Sequence, residues 1–169
     1  MAKRLFQTGS FTPTAQNDTT ALTSGTYAAI KGGSGTQLID VLEIMVSGLA
    51  GSTAAGNLTF ARVSTIETTP TALAAPASDG PMHPSTAALA AAPVTFTAAA
   101  TGPQRSAVTT DAKLNVGLNT YGGIAKWNSA FTAPFSILGN TADLGEALLS
   151  CGAGTTPGAV AAHLIYEPY

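Results

Sequence analysis

The chain has 169 residues, a length that fits one domain, and only 9% of them are charged, with a formal net charge of −2 at pH 7. Soluble domains average about 25% charged residues, so small polar groups must carry solubility or other molecules must cover the surface. The seven basic residues are few, and we therefore expect no nucleic-acid partner and no basic membrane-binding patch.

The first twenty residues are rich in threonine and include Phe6 and Phe11. We predict that residues 1–20 form an extended arm that becomes ordered on a partner, with Phe6 and Phe11 as candidate interface residues. Such an arm can add a strand to the sheet edge of a neighbouring molecule. The chain shows no apolar secretory segment and no membrane-spanning run, so we expect it to be made in a cytoplasm.

The most apolar segment, QLIDVLEIMVSG from Gln37 to Gly48, fits two structures. One helical stripe would hold Leu38, Ile39, Leu42, Met45 and Val46. The β-branched residues and the flanking glycines favour a strand instead, and a lone helix of about twelve residues is marginally stable. We predict a strand. Asp40 and Glu43 would then lie on opposite faces, so one of them needs a bulge, a partner or an interface.

The rest of the chain contains short apolar runs separated by glycine, proline and asparagine. In KLNVGLN, for example, Leu114, Val116 and Leu118 share one face. The other runs are NLTFARVSTI, APVTFTA, GGIAKWN, PFSIL, EALLSC and AVAAHLIYE. This pattern predicts an all-β fold, an antiparallel sandwich or barrel, formed by one domain over residues 21–169.

One long segment, residues 67–93, interrupts this pattern. Its five prolines exclude a continuous strand or helix. Ser85 can cap a short helix over residues 86–92, which Pro93 would end. A Pro/Ala-rich connection of this length is usually functional, so we expect it to take part in an interaction.

Residues that could carry chemistry are sparse. His83 and His163 are far apart and lack metal-binding spacing, and Cys151 is the only cysteine. No nucleophile-elbow motif surrounds a serine. The two carboxylate pairs with close spacing are ordinary in sequence; they are Asp40 with Glu43 and Asp143 with Glu146. We therefore expect no enzyme activity, no metal and no cofactor.

Trp127 and Tyr121, in TYGGIAKWNSAF, allow two interpretations. Aromatic rings on the face of a β-sandwich can stack on a sugar, which would make the protein a carbohydrate-binding module for surface glycans. A single tryptophan among small side chains is more often a packing anchor. Both rings stay candidate ligand-binding residues.

The second half of the sequence resembles a known class of proteins. The similar stretches are RVSTIETTPTALAAPASDGP, LNVGLNTYGGIAKWNSAF and LGNTADLGEALLSCGAGTTPGAVAAHLIYEPY. They resemble small jelly-roll virion proteins of tailed bacteriophages, and the resemblance covers residues 37–169. It implies a jelly-roll-like sandwich that forms homo-oligomers and has no active site.

The function that this resemblance implies is capsid decoration. A protein of this class, also called a cement protein, binds the outside of an icosahedral shell and stabilises it. Its expected partners are the major capsid protein or other virion proteins, and further copies of itself in a dimer or trimer. The resemblance is also compatible with a tail, head-fibre or minor capsid component. A pilus or surface-layer subunit is disfavoured because no export segment is evident.

Overall fold

The regular structure of this chain consists of β-strands wherever it is described. A computed structural model describes residues 5–12, 26–49, 51, 55–62, 70–72, 94–99, 112–129, 133–140, 146–151 and 160–169. The strands are β1 (Phe6–Thr12), β2 (Thr26–Lys31), β3 (Leu38–Gly48), β4 (Ala55–Arg62), β5 (Pro70–Ala72), β6 (Val94–Ala99), β7 (Ala112–Asn119), β8 (Ile124–Asn128), β9 (Phe135–Leu138), β10 (Glu146–Cys151) and β11 (Val160–Pro168). Within these ranges no helix is long and apolar enough to cross a membrane.

The strands pair as a nested antiparallel ribbon. β4 pairs with β7, β3 with β8, β2 with β10 and β1 with β11, so early strands meet late strands in reverse order. The ribbon is rolled so that β11 also pairs with β3, and β10 also pairs with β4. The resulting orders, β1-β11-β3-β8 in sheet A and β2-β10-β4-β7 in sheet B, define a jelly roll. The predicted all-β antiparallel sandwich is confirmed.

Three further strands extend this ribbon. β9 pairs with β3 beside β8 in sheet A, and β6 and β5 extend sheet B beyond β2. β5 lies inside the predicted connection 67–93 and begins at Pro70, as expected where proline occupies the first position of an edge strand. The helix predicted over residues 86–92 lies outside the described residues.

The core lies between the two sheets and is made of large aliphatic and aromatic side chains. Its fully buried members include Ile39, Leu58, Phe60, Leu164 and Tyr166. Each such side chain contributes about 1.5–3 kcal/mol when it leaves water. The burial alternates along most strands; in β7, for instance, Leu118 is buried while both of its neighbours are exposed. The face predicted for Leu114, Val116 and Leu118 is therefore correct.

The ambiguous segment forms a strand, as predicted. It is β3, and Ile39 and Val41 are buried before Leu42, whereas Ile44 and Val46 are buried after it. Opposite this point, the consecutive residues Ile165 and Tyr166 of β11 pair with Glu43 and Val41, which leaves Leu42 as an extra residue.

The bulge at Leu42 shifts the alternation by one residue. It therefore places both Asp40 and Glu43 on the outer face of sheet A, which resolves the conflict that a regular strand would create. The Leu42 carbonyl accepts a hydrogen bond of 2.9 Å from the Ser129 N–H, at the point where the chain leaves β8 for β9.

Part of the predicted arm is an integral strand of the body. All seven residues of β1 pair with β11 of the same chain, from Phe6 opposite Tyr166 to Thr12 opposite Val160. Phe6 is buried in the core. The expectation of a free arm is thus wrong for Phe6–Thr12, because main-chain pairing and burial of Phe6 hold this segment to its own chain. Residues 13–20 lie outside the described ranges.

Candidate interaction surface

Many of the exposed polar and apolar side chains in the described ranges lie on the outer face of sheet A. Cross-strand pairing arranges it in rows, and the central row runs from Gly9 through His163 and Met45 to Lys126. The next row runs from Gln7 through Ile165 and Glu43 to Asn128. Polar, apolar and small side chains therefore alternate on this face, and charges are few.

Two contacts tie side chains on this face to their neighbours. The Lys126 ammonium lies 2.8 Å from a Glu43 carboxylate oxygen, with half of the lysine side chain exposed. An exposed pair of this kind contributes at most about 1 kcal/mol. His163 Nε2 lies 3.1 Å from Gln7 Oε1, which links β11 to β1. His163 faces outward, as its position in the strand pattern predicts.

A polar network occupies the end of this face where β3, β9 and β11 meet. Asp40 and Glu167 stand directly opposite each other, and like charges in that position repel. The Ser136 hydroxyl donates a hydrogen bond of 2.5 Å to Asp40. The Tyr169 hydroxyl interacts with both carboxylates. The two hydroxyl donors therefore offset the repulsion between the carboxylates.

The pKa of Tyr169 reflects this surrounding. Desolvation of the hydroxyl, its hydrogen bonds to Glu167 and Asp40, and their negative charges raise the pKa of Tyr169 to about 12. A tyrosine hydroxyl is protonated at neutral pH even at its ordinary pKa of about 10, so it acts as a donor here. The Tyr169 N–H also donates to the Leu38 carbonyl at 2.8 Å, so this residue is held to β3 by main chain and side chain.

Arg62 connects the two sheets at the same end. From β4 of sheet B, its guanidinium donates to the Ser136 carbonyl of β9 in sheet A, with Nε at 3.0 Å and Nη2 as a second donor. The same group lies 5.2 Å from the centre of the Phe135 ring, a cation–π distance. Arg62 is therefore engaged in joining the sheets.

Large apolar side chains are exposed near the turn between β7 and β8. Ile124 is 73% exposed, Tyr121 59% and Leu49 40%. The backbone beneath them is tightly packed: the Gly48 N–H donates to the Gly123 carbonyl at 2.8 Å, and a Cβ at Gly48 would lie 2.3 Å from the Thr120 carbonyl oxygen. We call Leu49, Tyr121 and Ile124 the apolar tip. Its close-packed backbone presents these side chains on a rigid base.

Trp127 and Tyr121 lie in different surroundings. Trp127 is half-buried and packs against the core from β8, where it lines an apolar cavity of about 10 Å³ with Phe60 and Leu58. That volume is at the lower limit for one water molecule. Tyr121 lies in the exposed turn. The two rings therefore do not share one stacking face, and the position of Trp127 agrees with the packing interpretation.

Replacing Trp127 with alanine should destabilise the fold by about 2–3 kcal/mol, somewhat less than loss of a fully buried aromatic ring. Tyr121→Ala, an exposed change, should stay within about 0.5 kcal/mol of the wild type. Chemical denaturation measures both values, and a glycan array run on the same proteins tests sugar binding. A fully stable Trp127→Ala protein that had lost glycan binding would instead support the sugar-stacking interpretation.

The remaining predicted residues take separate positions. Phe6 stacks on Tyr166 with ring centroids 6.0 Å apart, so its ring is a core element and is not exposed to a partner. Phe11 lies in β1 opposite Ala161. His83 and Asp143 lie outside the described residues. In the ranges that are described, no three His, Cys, Asp or Glu side chains group closely enough to hold a metal ion.

Comparison with known proteins finds no family and only weak structural similarity. No family model and no curated protein matches the chain. A chain of the native Kashmir bee virus virion at acidic pH is 13% identical, with a TM-score of 0.28 over 98% of this chain and 70% of that one. A mutant VP2 protein of infectious bursal disease virus, in T=1 particles, is 14% identical with a TM-score of 0.13, and the match spans 37% of its length. Likeness at this level carries no argument, and the fold rests on the strand pairing above.

Proposed function

We propose that this protein is a structural component of a virus particle, without enzymatic activity. In its most specific form the proposal is a decoration protein that binds the outside of a tailed-bacteriophage capsid. The main support is the way charge and apolar surface are distributed on the jelly roll. Glu43 and Lys126 pair with each other, and Asp40 and Arg62 contact Ser136 of β9, while the apolar tip is exposed.

This arrangement suits a protein that acts by binding other proteins and not by catalysis. Charged groups that are paired with partners within the chain are held in place by those partners, which suits a structural role better than acid–base work on a substrate. Exposed apolar side chains on a rigid backbone are typical of surfaces that bind another protein. On a symmetric shell, many weak contacts of this kind act together, and their combined strength exceeds that of any single interface.

Co-sedimentation with capsids tests the proposal. The purified protein is mixed with capsids assembled from the major capsid protein of the same genome and separated on a density gradient. We expect the protein to sediment with the capsids at a fixed ratio to the capsid subunits. Ile124→Lys, at the apolar tip, should reduce this ratio. Gly117→Lys should not, because Gly117 belongs to β7 of sheet B, is exposed, and has no atom within 4 Å of an added Cβ.

Two results would count against capsid decoration. Failure of the wild-type protein to sediment with capsids, combined with antibody labelling of the tail or a head fibre in virions, would assign it to another part of the particle. Absence of the protein from purified virions would reject the structural role altogether. In the decorating form, virions that lack the protein should lose their DNA at a lower temperature than wild-type virions.

A further inference from the structure

Among the described strands β1 pairs only with β11, and we propose that its other edge pairs with β1 of a second copy of this chain, antiparallel and about a two-fold axis at Gly9. The pairing would join the two A sheets into one continuous sheet. The proposal does not depend on the virion role. It rests on the position of β1 in the sheet, on the composition of the strand and on the space around Gly9.

The edge of β1 is long and regular. β1 is the first strand in the order of sheet A, and its one strand partner in the described ranges is β11. All seven residues pair with β11 without a register shift. The opposite side of the strand therefore carries a straight row of main-chain groups that can accept another strand.

The composition of β1 lacks the usual protection of such an edge. Its sequence, FQTGSFT, contains no charged residue and no proline. Natural proteins prevent unwanted strand pairing with lysine, proline, bulges or very short edge strands. β1 has none of these devices.

The other sheet edges of the described fold do have them. β5 has three residues, begins with Pro70 and contains a register shift. β8 carries Lys126, and β7 carries Lys113. β9 has only four residues. The contrast within one molecule singles out β1 as the edge left open for pairing.

A second copy fits this edge better than a strand of different chemistry. Two-fold pairing places each residue opposite a residue of the same strand, so any charge would meet a like charge nearby. Because β1 is uncharged, no such repulsion arises. A two-fold axis at Gly9, the middle of the strand, pairs all seven residues: Phe6 with Thr12 of the second copy, Gln7 with Phe11, and Thr8 with Ser10.

Gly9 offers a direct test of this register. It is exposed, and a Cβ built there would lie 3.6 Å from the Ala162 carbonyl oxygen and 3.7 Å from His163 Cδ2, which are ordinary contact distances. A side chain at this position is therefore tolerated by the single chain. In the proposed dimer, by contrast, each introduced side chain would stand directly opposite its own copy.

Light scattering coupled to size exclusion measures the outcome. We expect the wild-type protein to have twice the 16.8 kDa mass of one chain. Gly9→Lys should raise the dimer dissociation constant by up to about fivefold, and Gly9→Asp should do the same. An equimolar mixture of the two variants should restore dimers, because opposite charges then meet across the axis. Gly9→Thr, which adds a neutral side chain, should remain dimeric.

Gly117→Lys is the matched control, since it places the same charge at an exposed glycine of another edge strand with no atom within 4 Å. It should remain dimeric. Circular dichroism of each variant confirms that the fold is retained. A wild-type monomer, a trimer, a dimer that tolerates Gly9→Lys, or variants that do not recombine on mixing would each overturn the proposal. A dimer dissociated by Gly117→Lys alone would move the interface to β7.

Discussion

Deleting Leu42 should leave the fold intact at a cost of about 2 kcal/mol. Without this extra residue, Val41 is followed directly by Glu43, and the two can pair with the consecutive residues Tyr166 and Ile165 as in a regular strand. The apolar side chains on either side of the deletion then still face the core, and Asp40 and Glu43 still face outward. The cost is the loss of the half-buried Leu42 side chain and of the hydrogen bond that its carbonyl accepts from the Ser129 N–H.

Leu42→Ala separates the effect of length from that of the side chain. Leu42 is half-buried, so this variant should lose about 1 kcal/mol and keep the bulge. Soluble yield, the near-ultraviolet circular dichroism spectrum and the thermal midpoint are measured for both proteins. If the deletion variant failed to fold while Leu42→Ala folded, Leu42 would not be the extra residue of β3.

Phe60→Ala should cost about 3–5 kcal/mol of unfolding free energy. Phe60 is 1% exposed and lies at the centre of the sandwich, with its ring edge-on to Phe135 at 4.8 Å. Its removal would enlarge the small apolar cavity that Trp127 already lines, and β-sheets on both sides limit how far the walls can collapse. Urea denaturation of the two proteins measures the difference.

Phe60→Leu and Ile124→Ala complete this comparison. Phe60→Leu retains most of the volume and should lose less than half as much as Phe60→Ala. Ile124→Ala removes a large side chain that is 73% exposed, so it should change stability by about 0.5 kcal/mol or less. Equal losses for Phe60→Ala and Ile124→Ala would mean that the space between the sheets is not the core.

The strands of this fold were largely predictable from local pattern. β-branched residues between glycines identify β3, and strict alternation identifies the inner face of β7, because both signals act over a few residues. For the bulge at Leu42, the sequence indicates only that Asp40 or Glu43 requires a bulge, a partner or an interface. The position of the bulge depends on pairing with Ile165 and Tyr166, more than a hundred residues later, which no local pattern contains.

The surface was less predictable because its contacts connect distant parts of the chain. Asp40 meets Ser136 and Glu167 through strand register alone, and neither spacing nor motif indicates this network. The sequence predicts an arm at the N-terminus because a segment rich in threonine and poor in charge is typical of both extended arms and edge strands. Burial of Phe6 against Tyr166 decides between them, and that contact requires the last strand.

The nested pairing also bears on how the molecule is made. β3 emerges early from the ribosome, yet its pairing partner β11 is synthesised last of the strands. Ser47, for example, cannot pair with Ala161 until β11 has been made. Until then both β1 and β3 lack the strand that separates them. Folding dominated by such distant pairings is slow, and unpaired strands tend to aggregate meanwhile. A nascent chain of this protein should therefore need chaperone protection until translation has passed β11, and premature termination before Val160 should yield insoluble product.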